Sequence, residues 1–465
     1  MSRSHDLVVL GAGPAGLAAA WRAAQRGLKV TLLERADRVG GLAGSFEVAG
    51  IRVDHGSHRL HPSTPAPVLS DLGRLLGDDL QVRPRNGRVR VAGQWVGFPL
   101  KAGELVRELP APLVARVARD SATGPLRRVH QDTYAGVLRA GLGSTLYESV
   151  YAPFAEKLWG LPGERISSVQ ARRRVSADTA WKVAARVLRG SRGGGQVRTY
   201  YYPRRGFGQI VEALADAAAS AGAEIRLEAE VDSVRVFEDE VLIGTQDGDV
   251  VSAGHAFSTL PLPVLARISR PAPSLTDIES ASRLRFRAML LVYVVHGGGR
   301  WSPYDAHYIP GPETPITRIS EPANYRVSAD DPSDRSVLCA EIPCAMTDEV
   351  WGHDDESLGD LVDEALASTG LPAANRLHVE TRRLGQVYPV YRVGFEHDLA
   401  GVDAWARMLR RVVTFGRQGL FAHDNTHHAL VMAYDAVDAL RDDGRFDRYA
   451  WTAARERFGH HVVED

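Results

Sequence analysis

Residues 6–16 read Asp6-Leu-Val-Val-Leu-Gly11-Ala-Gly13-Pro-Ala-Gly16, and residues 29–34 read Lys29-Val-Thr-Leu-Leu-Glu34. An apolar strand enters a glycine turn, a helix follows, and a second strand ends on an acid. In this pattern Gly11 permits the tight turn, Gly13 lets the backbone approach a pyrophosphate, and Gly16 lets the helix pack closely on the strand. The pyrophosphate would lie on the positive end of the helix dipole, and Glu34 would accept hydrogen bonds from a ribose. These residues therefore predict the start of a dinucleotide-binding domain.

The composition is that of a soluble globular enzyme. The chain has 465 residues, of which 44% are apolar and 24% charged, and a net charge of −1. This length predicts two domains, and this charge gives no reason to expect nucleic acid or an anionic membrane as a partner. The sequence contains no apolar run of about eighteen residues and no signal peptide, so we expect a cytoplasmic protein without a membrane span. Cys339 and Cys344 are too few for a disulfide framework and are predicted to be buried thiols.

The order of predicted elements indicates that the nucleotide-binding domain is interrupted. An amphipathic helix over 209–221 and a small meander follow a largely helical region, and a strand, a loop and a helix around 411–438 return near the end. The fold class is therefore α/β, a Rossmann-like domain of the glutathione-reductase type with an inserted mixed α+β substrate domain. The predicted pieces are, for the nucleotide-binding domain, 1–62, 199–284 and 407–465, and for the substrate domain, 63–198 and 285–406. The Arg189–Gly195 stretch predicts a loop long enough to be mobile.

The residues after the second strand narrow the cofactor. Arg38-Val-Gly40-Gly41 follows Glu34-Arg, and the whole resembles the Glu-Arg-x-x-Arg-x-Gly-Gly signature of FAD enzymes of the amine oxidase type. The resemblance implies noncovalently bound FAD. The residues expected to hold it are Gly11, Gly13, Gly16, Glu34, Arg38, Gly40, Gly41, Val231 (through its backbone, at the adenine), Gly416, Arg417 and Asn425.

Over nearly its whole length the chain resembles the FAD-dependent amine oxidase and protoporphyrinogen oxidase superfamily. Its motifs are most similar to those of the UDP-galactopyranose mutases. Four stretches carry that similarity: Val53-Asp-His-Gly-Ser-His58, Tyr151 to Val175 with Lys157-Leu-Trp159 inside it, Thr317-Arg318 to Asn324-Tyr325, and Tyr388-Pro-Val390.

The mutase resemblance implies a role for each stretch. It places His58 against the flavin, makes Arg174 and Arg318 ligands of a substrate diphosphate, and assigns Tyr388 to the same diphosphate. Where the mutases have Arg-Tyr, this chain has Ala422-His423, which either removes the sugar nucleotide or passes the role of the tyrosine to His423. Trp159, Asn324 and Tyr325 would contact substrate. The implied reaction uses N5 of reduced flavin as nucleophile at the anomeric carbon, and the reductant and the oligomeric state stay open.

Two other functions remain open at this point. An oxidase or desaturase would use oxidised FAD on an amine or polycyclic substrate, for which an aromatic pocket such as Tyr200–Tyr202 would suit better than converging arginines. A flavoprotein that only binds or regulates is the third possibility. Within the arginine-rich stretch, Arg172 or Arg173 is the alternative to Arg174, and Trp159 is as well placed for the core as for the substrate. His427 and His428 resemble metal ligands, but without a carboxylate at ligand spacing we expect no metal.

Overall fold

The computed structural model describes residues 4–98, 107–123, 131–174 and 199–463. The predicted 189–195 loop lies outside the described residues. The helices are α1 (Pro14–Gln25), α2 (Ala66–Leu76), α3 (Ala111–Thr123), α4 (Tyr134–Leu142), α5 (Ser144–Leu146), α6 (Ala152–Trp159), α7 (Ser168–Arg174), α8 (Gln209–Ser220), α9 (Leu262–Ile268), α10 (Leu275–Arg283), α11 (Asp355–Thr369), α12 (Phe395–Met408), α13 (Gly416–Gly419), α14 (Thr426–Asp438) and α15 (Arg448–Phe458).

The strands divide between two large sheets and two small ones. They are β1 (His5–Leu10), β2 (Val30–Leu33), β3 (Ser45–Val48), β4 (Ile51–Asp54), β5 (Leu80–Pro84), β6 (Gly87–Val91), β7 (Gln94–Phe98), β8 (Thr199–Pro203), β9 (Glu224–Arg226), β10 (Val231–Val236), β11 (Val241–Thr245), β12 (Val250–Ser258), β13 (Ser269–Arg270), β14 (Phe286–Gly297), β15 (Ala306–Tyr308), β16 (Arg318–Ser320), β17 (Arg335–Cys344), β18 (Arg376–Pro389) and β19 (Val412–Thr414).

The first sheet is the predicted nucleotide-binding sheet. Its order is β13-β10-β11-β12-β1-β2-β9, and β19 pairs with β12. β1 lies parallel to both β12 and β2. Successive side chains of β1 are buried on opposite faces, since Leu7 and Val9 join one apolar core and Val8 and Leu10 join the other. A strand covered on both faces is typical of a doubly wound α/β domain, so the predicted fold class is confirmed.

The second sheet consists of strands from both segments that are predicted to form the substrate domain. Its order is β18-β14-β17-β16-β15-β6-β7. Here too β14 is buried on both faces: Leu290 and Val292 join one core, while Leu291 and Tyr293 join another that includes β3 and β4. The second sheet therefore packs directly against β3 and β4, which follow Gly40 and Gly41 in the chain.

Other sequence expectations can be compared with the structure. The prediction that 133–160 is helical is confirmed, although the structure divides this region into three short α-helices and one π-helical turn over Tyr147–Tyr151. Cys339 and Cys344 are buried free thiols, as predicted. Among the described residues, no helix is long and apolar enough to cross a membrane. The boundaries of the two domains stay a prediction.

Candidate flavin and substrate site

The glycine turn after β1 has the shape that a pyrophosphate requires. Gly11 has φ of +100°, which favours glycine. A Cβ on Gly16 would lie 1.9 Å from the carbonyl oxygen of Gly11, so α1 can approach the strand only with glycine there. A Cβ on Gly13 would meet nothing within 4 Å. The space beside Gly13, at the N-terminus of α1, is therefore open to a phosphate group.

Two other segments of the chain, at Gly40–Gly41 and at Gly416, lie beside this glycine turn. The amide of Gly40 donates to the carbonyl of Ala12 at 2.8 Å, and a Cβ on Gly41 would lie 3.5 Å from the Cα of Gly13. Gly416 has φ of +77°, and a Cβ there would lie 3.1 Å from the Cβ of Ala15. Two neighbouring stretches and Gly416, which follows them by about four hundred residues, thus meet at one helix N-terminus. We name Gly11–Gly16, Gly40–Gly41 and Gly416 together the cradle.

Glu34 and Arg38, which are also predicted to bind the cofactor, differ in their surroundings. The Glu34 carboxylate accepts hydrogen bonds from the amides of Ala12 at 2.7 Å and Ala36 at 3.0 Å, so it lies at the cradle. Arg38 is exposed and pairs with Asp37 at 2.9 Å, so its role at FAD stays a prediction.

Two further predicted cofactor residues lie in regular elements. Val231 begins β10 opposite Thr245, and Asn425 caps α14. The roles of both residues at FAD stay predictions.

The predicted flavin-facing residue His58 lies in a turn that follows β4. Its Nε2 and the carbonyl oxygen of His55 are 3.0 Å apart, and its ring stacks on Phe207 with centroids 5.1 Å apart. Burial lowers the pKa of His58, although Asp54 acts in the opposite direction. We therefore expect a neutral imidazole with a fixed ring.

The predicted diphosphate ligand Arg318 is already paired. Its Nη2 donates to both carboxylate oxygens of Glu341 at 2.7 Å, and its Nε donates to one of them at 3.0 Å. Burial, the largest single cause, would lower the pKa of Arg318, but Glu341 together with the nearby tyrosines holds that pKa well above its ordinary value. Arg318 is thus charged and compensated by a partner that sequence reasoning missed.

Two further guanidinium groups lie close to the Tyr388 ring. The Tyr388 and His423 rings stack, with centroids 5.2 Å apart and planes 17° apart. The guanidinium of Arg417 lies 5.0 Å from the Tyr388 ring, and that of Arg174 lies 6.0 Å from it. The structure therefore brings Arg417, which was predicted at the cofactor, together with Tyr388, His423 and Arg174, which were predicted at the substrate. We name these four residues the Tyr388 cluster.

The electrostatics of this cluster favour an anion. Nε and Nη2 of Arg417 are buried and have no hydrogen-bond partner among the described residues, while its Nη1 donates to the carbonyl of Asp424 at 3.2 Å. Burial lowers the pKa of Arg417. Burial, reinforced by Arg174, Arg417 and Arg173, also lowers the pKa of His423 well below its ordinary value. A neutral His423 and the unused donors of Arg417 can hydrogen-bond to phosphate or carboxylate oxygens.

The structure distinguishes among the three neighbouring arginines. Arg172 is exposed, and Arg173 lies 3.4 Å from the Asp424 carboxylate. Arg174 lies over both the Trp159 ring, at 5.6 Å, and the Tyr388 ring. Of the three, Arg174 is the one within the Tyr388 cluster. Trp159 is buried against Tyr134, as expected for a core residue, and it also faces Arg174. Its contact with substrate stays a prediction.

The other predicted substrate contacts are occupied within the protein. The side-chain nitrogen of Asn324 donates to the carbonyls of Ser302 and Tyr304 at 2.8 Å, which gives it a structural role. Tyr325 is buried against the Tyr202 ring and hydrogen-bonds to Ser57. For both residues substrate contact stays a prediction without a supporting contact.

The tyrosine run considered as an apolar pocket is largely structural. Tyr200 and Tyr202 belong to the buried core, and the Tyr202 hydroxyl donates to the buried Asp54 carboxylate. Only Tyr201 of the three is partly exposed.

The prediction that no carboxylate lies at ligand spacing from His427 and His428 was wrong. Asp424 lies four residues before His428, 3.8 Å from its Nδ1, and 3.2 Å from Nδ1 of His461. The two imidazole rings are stacked, with centroids 4.1 Å apart and planes 13° apart. Because ring lone pairs lie in the ring plane, nearly parallel stacked rings cannot both direct them at one ion without rotating. The absence of a metal therefore stays a prediction, now on a different ground.

Comparison with known proteins agrees with this geometry. The family model of flavin containing amine oxidoreductase matches residues 14–438. The chain is 28% identical over 298 residues to phytoene dehydrogenase of Streptomyces griseus, covering 57% of this chain and 56% of that protein. It is 41% identical over 92 residues to a putative flavin-containing monoamine oxidase of Mycobacterium tuberculosis, covering 20% of this chain and 19% of that protein. The chain thus spans about half or less of these relatives' lengths.

Solved structures share the fold over most of the chain. Reduced UDP-galactopyranose mutase superposes with a TM-score of 0.78 at 21% identity, covering 94% of this chain and 93% of that one. A putative protoporphyrinogen oxidase from Exiguobacterium sp. 255-15 gives 0.72 at 20%, covering 94% and 98%. Cyclohexylamine oxidase from Brevibacterium oxydans IH-35A gives 0.62 at 18%, covering 97% and 99%. With the open cradle and the family match over residues 14–438, the chain belongs to the flavin-containing amine oxidoreductase family and is an FAD-dependent enzyme.

Proposed function

We propose that this enzyme is a nucleotide-sugar mutase that interconverts the pyranose and furanose forms of its substrate. The observation that carries the proposal is the Tyr388 cluster, in which Arg174 and Arg417 lie on one tyrosine ring beside a neutral histidine. A diphosphate brings about two negative charges, and guanidinium groups pair with phosphate oxygens in a planar fork. The structural similarity to a UDP-galactopyranose mutase supports this proposal through the fold alone.

The same charges disfavour an amine substrate. A protonated amine beside Arg174 and Arg417 would be repelled in a largely buried space, where charges are weakly screened. A purely apolar substrate would leave the donors of Arg417 without partners, which costs free energy in a buried site. An anionic substrate avoids both costs.

FAD is proposed to bind noncovalently in the cradle and to act in its reduced form, in which its N5 supplies the nucleophile for the anomeric carbon. The protein's part is positioning. Arg174 and Arg417 would hold the diphosphate, while Tyr388 and His423 would add neutral hydrogen bonds and shield the site from water. None of these side chains is required to act as a nucleophile.

The test is conversion of nucleotide sugars by the reduced enzyme. The purified protein is reduced with dithionite without air and mixed with UDP-sugars, and chromatography follows any isomer of unchanged mass. We expect conversion by reduced enzyme only. Arg174→Met should lower the conversion at least about tenfold, as expected when a charge-assisted contact is lost. Arg205→Met, at an arginine whose side chain is 60% exposed, is the matched control and should convert normally. Absence of any isomer with every sugar nucleotide would contradict the proposal.

A second candidate is an oxidoreductase that acts on a different anionic substrate. It is favoured by the pairing of Arg318 with Glu341, which occupies one of the two expected diphosphate ligands. It is also favoured by Ala422-His423 in place of the Arg-Tyr of the mutases, because the tyrosine is missing. This enzyme would turn over in the oxidised form and consume an electron acceptor. Oxygen uptake or dye reduction with carboxylate-bearing candidates, without sugar-nucleotide isomerisation, would favour it.

A further inference from the structure

Arg318 and Glu341 form a buried ion pair across two strands. They are directly opposite each other in β16 and β17. The side chains are 14% and 4% exposed. Three hydrogen bonds join them, all between 2.7 and 3.0 Å. Such a bidentate pair is geometrically specific and has no net charge.

Both members of the pair also hold one residue, Ser57, of the turn before His58. The amide of Ser57 donates to Glu341 at 2.9 Å, and the carbonyl of Ser57 accepts from Arg318 at 3.3 Å. The neighbouring Gly56 has φ of +88°, and a Cβ there would lie 3.3 Å from the Glu341 carboxylate. The turn thus rests on the ion pair on both sides of Ser57.

The turn is connected to the cradle. The amide of His55 donates to the carbonyl of Gly44 at 3.1 Å, and Gly44 ends the short helical turn that begins at Gly41. A displacement of Ser57 would therefore move residues beside the bound flavin.

We propose that Arg318 and Glu341 are positioning residues that act as one neutral unit to fix the Gly56–His58 turn beside the flavin, and that the substrate anion is held by Arg174 instead of Arg318. An anion on the fork of Arg318 would have to displace Glu341 and leave a buried carboxylate unpaired, which is strongly unfavourable. The half that concerns the substrate rests on the proposed function, while the half that concerns the turn rests on FAD binding alone.

The test removes both charges together, because removing one would leave the other buried and unpaired. The variants are Arg318→Met/Glu341→Gln and Arg174→Met, each studied as the FAD-loaded protein. The control is Arg455→Met/Asp403→Asn, which removes another buried pair, with side chains 12% and 16% exposed, between α15 and α12. Flavin absorbance, flavin reduction potential and the affinity for UDP are measured for each.

We expect Arg318→Met/Glu341→Gln to shift the flavin spectrum and potential while leaving the UDP dissociation constant within about twofold, because no net charge is lost. Arg174→Met should raise that constant at least about tenfold. The control should change neither quantity. A loss of UDP affinity in the Arg318/Glu341 variant equal to that in Arg174→Met, with an unchanged flavin spectrum, would overturn the proposal.

Two further outcomes are also decisive. If UDP does not bind the wild type, the proposed function loses its support, and the flavin spectrum of the Arg318/Glu341 variant alone decides the role at the turn. If that variant does not retain FAD, Glu341→Asp replaces it, since it keeps the charge but shortens the reach to Ser57. A spectral shift with Glu341→Asp supports the positioning role, and an unchanged spectrum contradicts it.

Discussion

At the scale of single residues, two glycines of the cradle differ in what a side chain would meet. A methyl group at Gly16 would collide with the Gly11 carbonyl, whereas one at Gly13 would enter open space. We expect Gly16→Ala to destabilise the protein by at least about 1–3 kcal/mol through overpacking. Gly13→Ala should fold normally, since Gly13 has φ of −74°, but lose FAD because the methyl group occupies the phosphate position. Thermal unfolding without FAD and flavin content after purification separate the two effects, and equal loss of apo stability in both variants would contradict this account.

The same scale shows what sequence alone can predict. The cradle glycines and Glu34 were predictable because their spacing is local and each has one physical reason. The Glu341 partner of Arg318 was not, because it depends on a cross-strand register between residues 23 apart, which no local pattern reveals. Arg38 also shows what a motif leaves open, since its side chain is exposed and pairs with Asp37, and its role at FAD stays a prediction.

At the scale of elements, the start of α14 is a buried group of imidazoles. His427 and His428 have ring centroids 4.0 Å apart, His61 stacks on His427 from the other side, and Asp424 and His461 adjoin His428. Burial, the largest cause, lowers the pKa of His427 to about 4 and that of His428 to about 3, from an ordinary 6.5. Between these values the unfolded chain binds more protons than the folded one, so stability falls as the pH drops from 6.5 towards 4.

The expected slope gives a direct test. Each such histidine contributes up to about 1.4 kcal/mol of lost stability per pH unit in this window. His427→Gln should reduce the acid dependence of the urea-unfolding free energy, and His397→Gln, at an exposed histidine, should leave it unchanged. An identical pH dependence in His427→Gln and the wild type would refute the assignment.

Element types were predictable wherever periodicity was strong. The expected helix over 209–221 is α8, and the expected strand and helix after residue 411 are β19 and α14. The region predicted as a loop between them contains the short helix α13. The predicted helix over 133–160 is instead divided, because Gly143 has φ of +89° and ends α4. The π-helical turn that follows has no signal in the pattern of apolar residues.

At the scale of the whole molecule, the cradle joins two segments near the start of the sequence to Gly416, about four hundred residues later. A ligand that binds the folded state alone stabilises it by mass action, by about 2.7 kcal/mol at a hundred times its dissociation constant. Because all three segments belong to or adjoin the first sheet, we expect FAD release and global unfolding of the holoprotein to occur together. Flavin fluorescence and far-UV circular dichroism during urea unfolding should therefore report one midpoint, and FAD release well before unfolding would contradict this expectation.

The late position of Gly416 also has a consequence for biosynthesis. Gly11–Gly16 leave the ribosome early, but Gly416, which packs against Ala15, is translated about four hundred residues later. β19, which precedes Gly416, must also insert beside β12 before that contact exists. A nascent chain can therefore form the opening βαβ unit early, yet it cannot enclose its prosthetic group until translation has passed this point. We therefore expect the flavin to bind only after most of the chain has been translated, so that a cell short of riboflavin would accumulate the apoprotein.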